Sequence, residues 1–311
     1  MLAAVAALLL APMVHAAPPL ARATRAVTDE MGRRIEVPVQ VRRVVSLAPN
    51  VTDILYSIGA GARIAGVTDF TATPPGAAPK PNVGEPLEPS LERIVALKPD
   101  LVFASRTINR QETVESLEQL GIPVYVTDAH SVEDMLNSVR RVADLVGMGP
   151  AGEGLAARLE KRLEALRARL AGRPIKRVLF VVWEDPLITT GEHTFIADAL
   201  RWAGARSVVR LQQDWPRLSL EEVVHLQPDD LIFPATSSGA VGDIARALRS
   251  RPGWRDLKAV RAGRVLLASD AINIPSPQLV DAIEQLARKL HPAAFAAAEP
   301  SPALAAGTDG R

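Results

Sequence analysis

From Arg43 onward, short apolar runs alternate with longer stretches in which apolar residues recur every three or four positions. The short runs predict buried strands and the periodic stretches predict amphipathic helices. In the first half, strands are expected at 44–47, 64–67, 101–103 and 124–126. Helices are expected from Thr52, between Ser90 and Pro99, at 111–120 and at 132–146. The second half opens on Val178-Leu179-Phe180-Val181-Val182-Trp183, a strong buried-strand pattern. It then runs through helix and strand to a further strand at 231–233, another at 265–267 and a last helix at 277–290. Ahead of both halves, residues 27–38 read as a small hairpin turning at Met31-Gly32. Strands alternating with helices indicate α/β lobes with mainly parallel central sheets.

The two halves share a text. Ser90-Leu91-Glu92-Arg93-Ile94-Val95-Ala96-Leu97-Lys98-Pro99-Asp100 recurs as Ser219-Leu220-Glu221-Glu222-Val223-Val224-His225-Leu226-Gln227-Pro228-Asp229, with seven of eleven positions identical. Each copy reads as a short helix with Ser at the N-cap and Glu in the first turn, where the helix dipole favours negative charge. Pro99 and Pro228 end the helices, and an apolar strand follows each. A second match, Ala60-Gly61-Ala62-Arg63 with Ala203-Gly204-Ala205-Arg206, closes a helix in each half. The fold predicted is therefore two pseudo-symmetric lobes.

Residues 151–172 separate them. Leu155, Leu159, Leu163, Leu166 and Leu170 form one apolar stripe opposed by charged residues. The spacing predicts a single helix about 25–30 Å long, and its place between the two repeat copies favours a connector of the lobes over an ordinary amphipathic helix packed on one sheet. The domain boundaries that follow are 18–150 for the first lobe with its hairpin, 151–172 for the connector and 173–292 for the second lobe. Residues 293–311 carry Ala and Pro without apolar periodicity and are expected to be a disordered tail. Residues 1–17 read as a cleaved secretory signal rather than an uncleaved anchor, because a short Ala- and Leu-rich segment broken by Pro12 ends in Val14-His15-Ala16.

Composition narrows the class. At 311 residues, 48% apolar and 23% charged, the chain can fill two globular domains. A net charge of +1 and the absence of a basic stripe with interleaved aromatics argue against a nucleic-acid partner. With no cysteine, neither a disulfide framework nor lipid attachment through an N-terminal Cys is possible in this sequence. Export and a soluble, monomeric periplasmic protein are the simplest expectation.

Catalytic signatures are missing: there is no G-x-S-x-G elbow, glycine-rich phosphate loop or H-E-x-x-H. An enzyme on this scaffold is disfavoured. The five histidines form no short-spaced pair, so no protein metal site and no cofactor are expected. The turn at Asn50-Val51-Thr52-Asp53 is explained by helix capping as well as by an anion site. Candidate ligand contacts are Phe70, Trp183, Trp215 and Asp270, all at strand ends or in loops, where ligands of open α/β sheets lodge. For any one aromatic, partial core burial competes with ligand contact. Trp215 stands apart because Pro216, Gln212, Gln213 and Asp214 keep it out of a regular element.

The hairpin at 27–38, Arg43-Val44-Val45-Ser46-Leu47-Ala48-Pro49, the first repeat copy, and Asp214-Trp215-Pro216-Arg217-Leu218-Ser219-Leu220-Glu221 carry a family resemblance. Over roughly residues 26–292 the chain resembles the helical-backbone periplasmic binding proteins of ATP-binding cassette importers, nearest their cobalamin-binding branch. The resemblance implies two lobes on one rigid helix, a ligand held in the cleft and little hinge motion. It also implies docking to the two permease subunits through one glutamate on each lobe, here Glu92 and Glu221. Trp215 matches an aromatic that lines the cleft, and Asp270 matches an acid at its edge. Pro86 and Ser105 stand where the branch places tryptophans, and Phe70 and Trp183 are the residues able to compensate. The ligand expected is cobalamin or a related corrinoid, with haem or a ferric siderophore as the alternative.

Overall fold

Every strand of the first lobe's central sheet pairs in parallel, as buried strands linked by helical crossovers require. The computed structural model describes residues 23–296 apart from 70, 72–73, 75–76 and 236–240. The assigned signal and residue 297 onward lie outside the described residues. The hairpin comprises β1 (Thr24–Thr28) and β2 (Arg34–Pro38), paired antiparallel. Its turn is held by Asp29, whose Oδ1 accepts from the Met31 and Arg33 amides at 3.0 and 2.8 Å. Gly32 takes φ 77°, open to glycine at no steric cost.

The first lobe runs β3 (Val44–Ser46), α1 (Pro49–Ser57), β4 (Ile64–Val67), α2 (Leu91–Ala96), β5 (Leu101–Ser105), α3 (Gln111–Gln119), β6 (Val124–Thr127) and α4 (Val132–Leu145). The sheet order is β4-β3-β5-β6. Helix α1 starts at Pro49, with Ala48 as N-cap and no side-chain cap. Neither Asn50 nor Thr52 caps it: Asn50 Nδ2 donates to Thr127 Oγ1 and Thr52 Oγ1 to the Ala48 carbonyl. Proline preorganised in the first turn takes the capping residue's place.

Helix α5 (Gly149–Leu170) is the connector, beginning two residues before the predicted boundary because Pro150 sits in its first turn. Gly152 lies inside it, and a Cβ there would stand 2.3 Å from Ala143 Cβ, so glycine sets the close approach of α4 and α5.

The second lobe runs β7 (Lys176–Glu184), β8 (Leu187–Thr189), α6 (Phe195–Trp202), β9 (Ala205–Ser207), α7 (Leu220–Leu226), β10 (Asp230–Pro234), α8 (Val241–Ser250), α9 (Lys258–Arg261), β11 (Val265–Ala268), α10 (Gln278–Leu290) and α11 (Pro292–Phe295). Strands β9, β7, β10 and β11 repeat the first lobe's order in parallel. The addition is β8, antiparallel to the far half of β7. Helix α11 occupies the first residues of the stretch assigned to the tail. Phe295 anchors it, lying beneath the guanidinium groups of Arg169 and Arg288 at 5.3 and 4.7 Å.

Duplication extends to backbone detail. Lys98 and Gln227 are the only non-glycine residues with positive φ among the described residues, at 46° and 44°, and they occupy the same place in the two copies. Each is followed by proline and then by an aspartate that binds the start of a central strand. Asp100 Oδ2 accepts from the Arg42 and Arg43 amides, and Asp229 Oδ2 from the Arg177 amide. In return, Arg43 and Arg177 each donate to the last carbonyls of the helix, at Leu97 and Leu226, both at 2.8 Å. The Ala-Gly-Ala-Arg match is displaced by two residues. The glycine that ends α6 with positive φ is Gly204, and its counterpart after α1 is Gly59, whereas Gly61 lies in a 3₁₀ turn.

Alternate strand residues face two cores. Val45, Val102, Ala104 and Val124 line an outer core in the first lobe, as Leu179, Val181, Leu231 and Phe233 do in the second. The inner faces, with Val44, Leu101 and Phe103 from one sheet and Val178, Phe180 and Ile232 from the other, join a single buried cluster. That cluster includes α1, α4, α5, α6 and α10, so apolar packing is continuous between the lobes. Leu155, Leu159, Leu163 and Leu166 of the predicted stripe are buried in it, and Leu170 packs at its margin. Ion pairs hold α5 to both sides, Arg140 of α4 with Glu153 and Glu160, and Arg162 with Glu284 of α10. Being partly exposed, these contribute less than the stripe. No described helix is long and apolar enough to cross a membrane.

Candidate functional site

Segments leaving the carboxyl ends of both sheets meet at the lobe junction. The Val132 amide, at the start of the helix after β6, donates to Asp198 of the second lobe, and Gln278, at the start of the helix after β11, donates to Asp53 of the first. The carboxyl edges therefore face one another across the junction, the position at which open parallel sheets bind ligands.

On the first lobe this edge is polar and bonded mostly within itself, with Asn50 Oδ1 and Asp53 Oδ2 buried without a partner. Asn109 Oδ1 accepts from the Ser105 amide, and its Nδ2 donates to the carbonyls of Leu47 and Pro86 at 3.1 and 2.8 Å. Ser105 is buried, its hydroxyl 3.2 Å from that of Thr107. Beside them, Asp128 lies 3.1 Å from His130 Nε2 and 3.4 Å from Arg106 Nη1. This trio at the ends of β5 and β6 was not singled out from sequence. Arg106 and Asp128 are 22 residues apart, and only strand pairing joins them.

On the second lobe, Trp183 is the last residue but one of β7 and is 62% exposed, with its ring nitrogen donating to the Asp185 carbonyl at 2.9 Å. Trp215 is 36% exposed in a loop fastened to β8 and the turn after it. Thr189 N–H donates to Pro216, Gly191 N–H to Asp214 and Glu192 N–H to Leu211, at 3.1, 2.9 and 3.0 Å. Gly191 allows this contact, since a Cβ there would fall 1.9 Å from the Gln213 carbonyl oxygen. Trp183 pairs with Ile188 of β8, and Ile188 bridges Arg217, so the two indoles flank one short strand. Asp270 is exposed in the turn after β11, at the opposite edge of the sheet. Three strand spacings, about 14 Å, separate it from β8. Phe70 lies outside the described residues. Among the described residues no group of three or more His, Cys, Asp or Glu is placed to hold a metal ion.

Glu92 and Glu221 occupy the same position in α2 and α7, exposed in the first turn. Each helix runs back from the cleft edge to the strand that follows it, so both carboxylates lie toward that edge. Neither forms an ion pair among the described residues. Ser90 and Ser219 both cap, Ser90 Oγ accepting from Arg93 N–H at 3.3 Å and Ser219 Oγ from Glu222 N–H at 3.2 Å. The second copy adds a reciprocal bond from Ser219 N–H to Glu222 Oε2 at 2.7 Å, a capping box readable in Ser-Leu-Glu-Glu. A cavity of about 860 Å³ lies elsewhere, between the hairpin and the amino ends of the first sheet's strands, lined by Val39, Arg42, Leu97 and Lys98. It does not open on the carboxyl edges and is no part of the cleft.

The periplasmic binding protein family profile matches residues 44–271, most of the chain and both lobes. The chain belongs to this family. It is 30% identical over 246 residues to a vitamin B12-binding protein of Vibrio parahaemolyticus, covering 78% of this chain and 87% of that one. It is 27% identical over 277 residues to an uncharacterized ABC transporter substrate-binding lipoprotein of Bacillus subtilis, covering 86% of each. Among solved structures, the periplasmic vitamin B12 binding protein BtuF of Vibrio cholerae superposes with TM-score 0.72 at 25% identity, covering 84% of this chain and all of that one. The periplasmic heme-binding protein RhuT of Roseiflexus sp. RS-1 superposes with TM-score 0.71 at 28% identity, covering 82% and 99%. The two-lobed α/β fold of this family is therefore the fold of this chain, and its class is that of binding proteins.

Proposed function

We propose that this chain is a periplasmic receptor that takes cobalamin or a related corrinoid between its lobes and delivers it to an ATP-binding cassette importer. The observation that carries the ligand class is the likeness to vitamin B12-binding proteins over both lobes, at 30% identity in one and with TM-score 0.72 in another. The cleft chemistry agrees with it. Trp183 and Trp215 offer exposed aromatic faces on the second lobe, suited to a large flat ligand, and Asp270 offers a hydrogen-bond acceptor at the far edge of the same sheet. The metal arrives inside its organic chelate, so binding requires no metal site in the protein.

Glu92 and Glu221 are the proposed contacts with the permease. Equivalent charges on two pseudo-symmetric lobes suit a two-fold partner, which presents the same surface twice. In this reading the chain acts as a monomer in the periplasm, exported by its leader at residues 1–17. A second reading, haem as the ligand, is favoured by the 28% identity to a heme-binding neighbour.

Titration of residues 18–311 with cyanocobalamin, haemin and a ferric siderophore, followed by calorimetry and visible absorbance, separates the readings. Saturable one-to-one binding of cyanocobalamin at micromolar concentration or below is expected. Tight haemin binding without cobalamin binding would sink the corrinoid assignment and leave the receptor class in place.

A further inference from the structure

Two carboxylates outside the proposed ligand and docking sites lie at the lobe junction. Asp53 on α1 and Asp198 on α6 occupy equivalent places, each six residues before the positive-φ glycine that ends its helix, Gly59 at 80° and Gly204 at 76°. Each reaches into the other lobe. Asp198 Oδ2 accepts at 2.8 Å from the amide of Val132, the first residue of α4. Asp53 Oδ1 accepts at 2.8 Å from Nε2 of Gln278, the first residue of α10. Helices α4 and α10 are themselves equivalents, the helices that follow the fourth parallel strand of each lobe.

The arrangement is a crossed pair: the first helix of each lobe places a carboxylate at the amino terminus of the other lobe's last long helix. At α4 the carboxylate meets a backbone N–H of the first turn and at α10 the side-chain amide of the first residue, both where the helix dipole favours negative charge. Helix α10 has no side-chain cap of its own, and the Val132 amide of α4 is met only from across the junction. Asp198 Oδ1 is held by Arg201 of its own helix at 3.0 Å, which aims the other oxygen outward. Asp53 Oδ2 is buried without a partner, a cost borne at this contact. The apolar cluster beneath supplies attraction between the lobes without directional bonds. Directional hydrogen bonds at two symmetric points constrain rotation as well as separation.

We propose that Asp53 and Asp198 are positioning residues that lock the two lobes in one relative orientation and so set the width of the ligand cleft. The proposal does not depend on which chelate the cleft accepts, and its test uses the unliganded protein.

Because the chain has no cysteine, Glu112→Cys on α3 and Ala247→Cys on α8, both exposed and on opposite lobes, provide two unique spin-label positions. Double electron–electron resonance of this pair is expected to give one narrow distance distribution. Adding Asp53→Ala and Asp198→Ala broadens it and introduces a second population. Asp53→Asn with Asp198→Asn, which keeps an acceptor oxygen at each point, restores the narrow distribution. In parallel, Asp198→Ala alone speeds amide exchange at Val132 about tenfold, the effect of losing one hydrogen bond, and leaves Val142 in the middle of α4 unchanged. An unchanged distribution in the double alanine protein overturns the proposal, as does equal broadening by alanine and asparagine. If the double variant does not fold, Asp53→Ala alone, whose contact is exposed, carries the same comparison.

Discussion

Trp215 sits in a loop whose backbone is fixed in place. Four chain-to-chain hydrogen bonds, from Thr189, Gly191, Glu192 and Leu218, fasten its loop to the β8 segment. An indole held on such a platform loses little entropy when a flat ligand stacks on it. Trp215→Ala is therefore expected to weaken ligand binding by about 1 kcal/mol, roughly fivefold, with thermal stability nearly unchanged. Calorimetric titration of the variant checks this, and an unaltered affinity would return Trp215 to a structural role. Glu30, in the hairpin turn, is a different case. Its Oε2 accepts from the Asp128 amide and the Ser138 hydroxyl, its Oε1 is buried without a partner, and burial raises its pKa above 4.5. A raised carboxyl pKa means that the folded state holds the proton more tightly than the unfolded chain. The stability this contributes is full below about pH 4.5 and is lost as pH rises through the folded-state value. Glu30→Gln keeps an acceptor and removes the ionisation, so denaturant unfolding between pH 4 and pH 7 should lose the part of its pH dependence that Glu30 supplies. Nearby Arg141 and Asp128 act on the same carboxyl in opposite directions and set how large that part is.

At the scale of elements, much of the fold was legible because the patterns are local. The Ser-Leu-Glu copies, the paired prolines and the leucine stripe of α5 are each read from contiguous residues, and each forms the element expected. Helix starts moved where proline occupied the first turn, at Pro49 and Pro150. Strand β8 was not legible: its three residues gain strand character only by pairing with β7 and with Arg217. For the same reason the Asp128–His130–Arg106 trio and the crossed aspartates could not be seen, since their partners are set by sheet order and lobe packing. The Ala-Gly-Ala-Arg match shows the converse, an identity in the letters that the backbone sets two residues out of register. The stripe of α5 makes a firm prediction. Leu163→Ala removes a side chain buried to 2% exposure in the cluster shared by both lobes. It should cost about 2–5 kcal/mol. If the helix is a common spine, probes in the two lobes unfold together in denaturant and shift by the same amount; separate transitions would show that the lobes stand alone.

For the whole molecule, two sheets of the same order present their carboxyl edges to a single junction, floored by one apolar core and edged by exposed aromatics on the second lobe. Toward that edge stand Glu92 and Glu221, alike in sequence, cap and exposure. Stabilising a helix start accounts for about 0.3–1 kcal/mol at each site. That role requires neither the same residue in both lobes nor the absence of an ion pair at both. The proposed docking to a two-fold importer accounts for the shared residue, so the central claim is that these carboxylates act together on a partner. Its most direct measurement is ligand uptake by vesicles carrying the cognate importer, supplied with parent protein or with the Glu92→Arg, Glu221→Arg double variant. The account predicts unchanged ligand affinity, a folded protein and transport reduced to background in the double variant. Transport at the parent rate would contradict it.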